Sequence, residues 1–142
     1  MKKTALIIVI TFFMLSCGKK EEVKFEAFSP EAFAYDIGDS WEVNSSVYVR
    51  GFEQNKDEAS GTYSASIHYN VDMIKPDSEI VENIYEDNIE KNDSEKMIDV
   101  RLEAQFDLDS SYAPGKYQVI FNISDDYSGS AVSSTTDFEL KE

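Results

Sequence analysis

An all-β fold, a single antiparallel sandwich of about seven strands, is what this chain predicts, and a few observations carry that prediction. Apolar residues recur with the strand period of two through most of the chain past its first thirty or so residues, not with the helical period. Turn-forming clusters punctuate those runs at short, fairly even intervals. No amphipathic pattern of helical period lasts longer than a turn or two.

The elements follow in order. Phe33 to Ile37 reads as a weak strand, closed by the turn Ile37-Gly38-Asp39-Ser40. Trp41, Val43, Ser45, Val47 and Val49 then form one face of a strand. After Ser60-Gly61, the residues Tyr63, Ala65, Ile67, Tyr69, Val71 and Met73 alternate with Thr62, Ser64, Ser66, His68, Asn70 and Asp72. Lys75-Pro76-Asp77-Ser78 is a turn, and Ile80 to Tyr85 a second weak strand. Residues 86–96, EDNIEKNDSEK, are too polar for a core face and are expected to form a long exposed loop. The clearest alternation is Ile98, Val100, Leu102, Ala104, Phe106 and Leu108 against Asp99, Arg101, Glu103, Gln105 and Asp107; a helix would scatter these around its circumference. Tyr112-Ala113-Pro114-Gly115 turns the chain into Tyr117, Val119, Phe121 and Ile123. A turn from Asp125 to Gly129 leads to a last strand, Val132 to Leu140. No internal repeat and no second domain are visible.

With 42% hydrophobic and 13% aromatic residues in 142, the chain can bury a core and is not compositionally disordered. Lysine and arginine total 13 against 28 acidic residues, a net charge of -15. That balance repels phosphates and anionic headgroups, so nucleic acid is excluded as a partner and membrane attachment needs something other than basic electrostatics.

Lys2 and Lys3 precede ALIIVITFFML, an apolar run of signal-peptide length, shorter than the roughly 20 residues of a membrane-spanning helix. Met14-Leu15-Ser16-Cys17-Gly18 closes the run on the only cysteine. This register resembles the lipobox of bacterial lipoproteins, with Met14 where leucine often stands three residues before the cysteine. The resemblance implies that Cys17 carries diacylglycerol and an N-acyl chain and becomes the mature N-terminus. Each buried acyl CH₂ contributes about 0.8 kcal/mol, and several chains together make a stable anchor. The thiol is then unavailable for a disulfide, a metal or catalysis. Removing Lys2 and Lys3 with the leader leaves 11 basic against 28 acidic residues, or -17. The expected organisation is a signal peptide over 1–16, the lipidated cysteine and polar tether over 17–30, and the sandwich over 31–142.

The tether opens with Gly18, not the aspartate that favours inner-membrane retention in enterobacterial lipoproteins. Lys20-Glu21-Glu22 resembles the Lys-plus-two-acids export signal of some Bacteroidota lipoproteins. The expected location is therefore the cell envelope, lipid-anchored at the outer membrane, on its periplasmic face or at the cell surface.

The stretch from Leu108 to Val119, LDSSYAPGKYQV, resembles the corner between strands E and F of immunoglobulin-like domains. There a tyrosine near the start of strand F bonds back to the corner's backbone. Tyr117 matches that tyrosine, and Val119 stands where antibody domains place a cysteine. The closing segment GKYQVIFNISDDYSGSAVSSTTDFEL is similar to the last hairpin of many bacterial immunoglobulin-like modules. The resemblance implies an immunoglobulin-like sandwich, a fold that hosts many functions.

Catalytic chemistry has little to work with. His68 is the only histidine, and Ser66 lies two residues away on the same strand face, about 7 Å off and too far for a direct bond. Zinc would need an all-carboxylate complement. Calcium suits loop oxygens better, and the candidates are Asp36 with Asp39, Asp125 with Asp126, Asp107 with Asp109, and the group Glu86, Asp87, Glu90, Asp93 and Glu95. None has the EF-hand spacing. Tyr48, Tyr112 and Tyr127 are candidate contacts for a sugar or a protein. The expected function is a non-catalytic binding or accessory module of the envelope, held by the bilayer and meeting an envelope protein or surface ligand, with no cofactor beyond the lipid. The competing expectations are a carbohydrate- or calcium-binding surface module and a small carboxylate-dependent hydrolase.

Overall fold

In the computed structural model, which describes residues 22–141, all regular structure is strand. The strands are β1 (Glu26–Asp36), β2 (Ser40–Arg50), β3 (Asn55–Lys56), β4 (Tyr63–Ile74), β5 (Ile80–Asp93), β6 (Asp99–Asp109), β7 (Gly115–Asp125) and β8 (Ala131–Leu140). They form a three-stranded sheet, β1-β2-β6, and a five-stranded sheet in which β5 and β7 flank β4 and β8 follows β7. All pairings are antiparallel. Tyr63 pairs with both Lys56 of β3 and Asp93 of β5, so β3 lies on the side of β4 opposite β5, in line with β7. The sheets close on each other where β1 runs beside β8 and, more loosely, where β6 approaches β5.

Period-two patterning decides which residues are inside. On β6, Val100, Leu102, Ala104, Phe106 and Leu108 are buried while Arg101, Glu103, Gln105 and Asp107 are exposed. The inward residues of β2, β4 and β7 meet them: Val43, Val47 and Val49; Ala65, Ile67, Tyr69, Val71 and Met73; Tyr117, Val119, Phe121 and Ile123. Each fully buried aliphatic or aromatic side chain of this kind contributes about 1.5–3 kcal/mol. The polar groups within are bonded. Ser45 Oγ donates to Ala104 O at 3.2 Å, and Tyr69 Oη spans the sheets to donate to Glu103 O. Tyr117 Oη donates to Ala113 O at 2.7 Å, the bond expected of a corner tyrosine.

The structure corrects the sequence reading at several points. Residues 86–96 are not a long loop: β5 continues to Asp93, paired with β4 back to Tyr63. An edge strand that extends past the smaller opposing sheet needs few apolar residues, and Ile84, Tyr85 and Ile89 are enough to dock this one. Ile98 precedes β6 and is 82% exposed. Met97 packs on the core instead, its backbone N and O both held by the Gln54 side chain. The sandwich begins at Glu26, ahead of the expected boundary at residue 31, because Phe25, Ala27 and Ala32 already pack against the core. Where the chain enters, Lys24 crosses Gly51 (φ 75°), and a Cβ there would run into the Lys24 carbonyl. Only glycine fits both that conformation and that contact.

Candidate functional site

Chain direction gives the sandwich two ends. Residues 22–25 enter beside Gly51, at the end that also carries the 94–98 and 125–130 connections. β1 then runs its 11 residues, roughly 35 Å, to the other end. There lie the turns at 37–39, 75–79 and 110–114 and the C-terminal end of β8.

At that far end β1 turns its large side chains outward. Ala32 and Ala34 face the core, where β8 lies close. Phe33 is 46% exposed and Tyr35 57%, their rings meeting edge to face at 5.3 Å, and Ile37 beyond them is 53% exposed. Half-buried Trp41 completes a cleft of about 470 Å³ around the free edge of β1, lined also by Asp36, Glu139 and Lys141. Lys141 Nζ sits 3.7 Å from Glu139 Oε2, so the cationic group is already engaged. Glu31 and Glu42 lie on the same outer face, Glu42 directly across from Tyr35. The cleft thus joins apolar and aromatic side chains with charged ones, and acids outnumber cations around it.

The other aromatic candidates each have a partner within the fold. Tyr48 stacks on Phe28 at 5.7 Å, with the guanidinium groups of Arg50 over Phe28 and Arg101 over Tyr48. Tyr112 packs 6.5 Å from the Tyr117 ring at the β6–β7 corner. There it lines a second cleft of about 440 Å³ with Lys75, Pro76, Asp77 and Asp109. Tyr127 Oη lies 3.3 Å from Ser64 Oγ.

The acidic candidates do not converge. Among the described residues no group of three or more His, Cys, Asp or Glu side chains is arranged to hold a metal ion. Asp36 Oδ1 accepts from Gly38 N at 2.8 Å and Asp39 Oδ1 from Ser40 Oγ at 3.4 Å, each closing its own turn. Asp109 accepts from the Ser111 hydroxyl and backbone N, which hold its carboxyl below the ordinary range. Glu86 and Glu90 share the outer face of β5 with Asn70 and Ser66 of β4 beside them, whereas Asp87 and Asp93 lie on the opposite face.

Asp125 is the instructive case. It continues the inward series of β7 and is 1% exposed. Its Oδ2 accepts from Glu53 N at 2.7 Å and Ser128 Oγ at 2.6 Å, and its Oδ1 from Tyr127 N at 3.1 Å. These donors tie the connection after β2 to the β7–β8 turn, so the carboxylate is an anchor whose oxygens are taken. Asp126 Oδ2 accepts from Ser66 Oγ at 2.6 Å. That bond engages the serine two residues before His68 on the same strand face. His68 itself stands on the outer face, its Nε2 3.4 Å from Glu86 Oε1. Cys17 lies outside the described residues.

No protein-family model matches the chain, and neither does any curated protein. Among solved structures it is similar to "X-ray structure of Northeast Structural Genomics Consortium target SoR45". Identity is 8% and the TM-score 0.33, over 84% of this chain and 86% of that one. The described domain is an antiparallel all-β protein whose exposed strand aromatics gather at one end of one edge.

Proposed function

We propose that this protein is a bacterial envelope lipoprotein, anchored by acylated Cys17, whose immunoglobulin-like sandwich serves as a non-catalytic binding module. The observation that carries the binding role is the exposed pair Phe33 and Tyr35 beside Trp41, at the end of the sandwich remote from chain entry. Eight residues lie between Cys17 and the first strand residue, Glu26, so the tether reaches at most about 30 Å. Anchored there, the domain stays close to its membrane and turns the aromatic end away from it.

The immunoglobulin-like reading is supported by connectivity. Taking β1, β2 and β6 as strands A, B and E, and β4, β7 and β8 as C, F and G, the sheets pair as in that architecture, with β5 beside C. The Tyr117 to Ala113 bond supports it independently. The Phe33 and Tyr35 rings stand 67° apart, an arrangement that favours gripping side chains over stacking flat on a sugar.

Two measurements test the proposal. In Triton X-114 partitioning of the natively expressed protein, wild type is expected in the detergent phase and Cys17→Ser in the aqueous phase; both in the aqueous phase would overturn the anchor. Affinity capture of the lipidated protein from its own envelope is expected to recover a specific protein. Recovery of glycans alone would replace the reading with a carbohydrate-binding module.

A further inference from the structure

We infer that the free edge of β1 at Ala32–Tyr35 takes up an extended segment of a partner protein as an added strand, and that this segment alternates apolar with basic residues. The inference rests on the binding-module reading above and gives it a mode and a partner class.

Among the described residues β1 hydrogen-bonds to β2 alone, and no backbone bond joins it to β8 although β8 runs beside it. An open strand edge presents a row of N–H and C=O groups ready to pair, and soluble proteins blunt such edges with charge. Two of the other edges are blunted by charge: β5 by Glu82, Glu86, Asp87, Glu90 and Lys91, and β6 by its exposed charged face. Ala32-Phe33-Ala34-Tyr35 carries no charge, and its two aromatics are exposed.

The cleft wraps both faces of that edge, with Phe33 and Tyr35 outside and Ala32, Ala34 and Trp41 inside. A strand laid along it would place successive side chains alternately against the two walls, the arrangement of β-strand addition. Charge selects the occupant. Asp36 stands in the wall and Glu31 and Glu42 flank it, while Lys141 and Glu139 are paired with each other. Basic residues on the incoming strand meet these acids, whereas a second copy of a chain with net charge -15 is repelled.

The probe is a synthetic peptide of alternating lysine and valine, as long as β1, titrated calorimetrically into the full lipidated chain in detergent micelles. Three controls accompany it: its glutamate–valine counterpart, and two forms N-methylated at every second amide in opposite phase. The lysine peptide is expected to bind, and the glutamate peptide roughly tenfold or more weakly. One methylated phase should retain binding while the other loses it, because only alternate amides of an added strand face β1. Phe33→Ser with Tyr35→Ser should weaken binding roughly tenfold with the melting transition unchanged, since both side chains are exposed. No binding at millimolar peptide, equal binding of both peptides, or indifference to methylation phase or to the serine variant would each overturn the inference. Envelope capture separates the two readings. A partner held equally by wild type and the serine variant ends strand addition at β1 and leaves the binding module standing. Wild type holding no protein ends the binding-module reading, and the inference with it.

Discussion

β1 and β5 are both edge strands and they meet the same hazard differently. β5 is the longer, 14 residues, and carries acids or lysine along most of its length on both faces. β1 has a bulge between Phe28 and Glu31 near its start and then an uncharged stretch with its aromatics turned to solvent. Packing explains part of the difference. β5 extends past the three-stranded sheet, so its inward face is only partly covered and polar residues cost little there. β1 lies close against β8, where only alanines fit, and its larger side chains must point outward. Packing does not explain why those outward residues are aromatic. A lysine at either position would fit as well and would protect the edge. The two strands teach that an edge kept apolar in a chain this rich in charge is one available for contact.

The strongest way to separate the two edges is to loosen one of them. Tyr69 holds the β5 side of the sandwich: its ring stacks on Tyr85 at 6.1 Å and on Phe121 at 6.0 Å, and its hydroxyl reaches Glu103 O. Burial pushes its pKa up, as expected for a phenol out of reach of water. Tyr69→Ala removes the ring and the link between sheets and is expected to cost about 4 kcal/mol in urea unfolding. Native-state hydrogen exchange should show β5 amides losing protection first, while β1–β2 amides exchange only by global unfolding. Equal loss at both edges would show that they are not independently held.

Exchanging the character of the edges is the second test. Glu86→Val with Glu90→Val makes the outer face of β5 apolar and should convert a monomer into concentration-dependent oligomers, read by light scattering. The parent protein, with β1 already apolar, should remain monomeric at the same concentration because its net charge keeps copies apart. If the parent self-associates as readily, the charge on β5 is not what protects that edge.

How much of this was legible in the sequence depends on how one-sided each strand's environment is. β2, β4, β6 and β7 each have one face in the core, and alternation alone assigned their inward residues. The second half of β5, past Tyr85, was missed because a pattern search asks for an apolar face that this strand barely needs there. On β1 the stretch Ala32-Phe33-Ala34-Tyr35 is apolar at every position, so alternation says strand without saying which face is buried. Only the nearness of β8 decides for the alanines. Asp125 sits two residues beyond Ile123 in the inward series, so its burial was readable from register, yet its residue type pointed to a solvated turn. The cleft could not be read at all, since it joins β1 to the end of β8, about a hundred residues later in the chain.

A finer test concerns what supports β1 from behind. Tyr117 stacks on Phe138 of β8 at 5.3 Å and donates to Ala113 O. Tyr117→Phe keeps the stack and removes only the bond, leaving the carbonyl without its partner. The expected cost is about 1 kcal/mol, read as a lower urea midpoint with an unchanged slope. Peptide binding at β1 should be unaffected, because the aromatic support of β8 survives. A loss of binding would mean that the corner, and not the stack, positions the edge.

The smallest effect is electrostatic and also lies on the β8 side. Asp137 accepts from Gln118 Nε2 at 2.7 Å and lies 3.3 Å from Lys116 Nζ. Gln118 first, then Lys116, holds its carboxyl below the ordinary 3.8. A carboxylate with a depressed folded pKa contributes stability above its unfolded value and loses it as pH falls through the folded one. Asp57 and Asp109 are lowered too, by the Ala59 backbone and the Ser111 hydroxyl respectively. Stability should therefore decline as pH drops below about 4. Asp137→Asn should lower the melting temperature slightly at pH 7 and leave it nearly unchanged near pH 2, where the parent's carboxyl is already protonated. All three groups are exposed, and screening keeps each contribution small. A variant that loses as much at pH 2 as at pH 7 would show that Asp137 acts through packing on β8 and not through its charge.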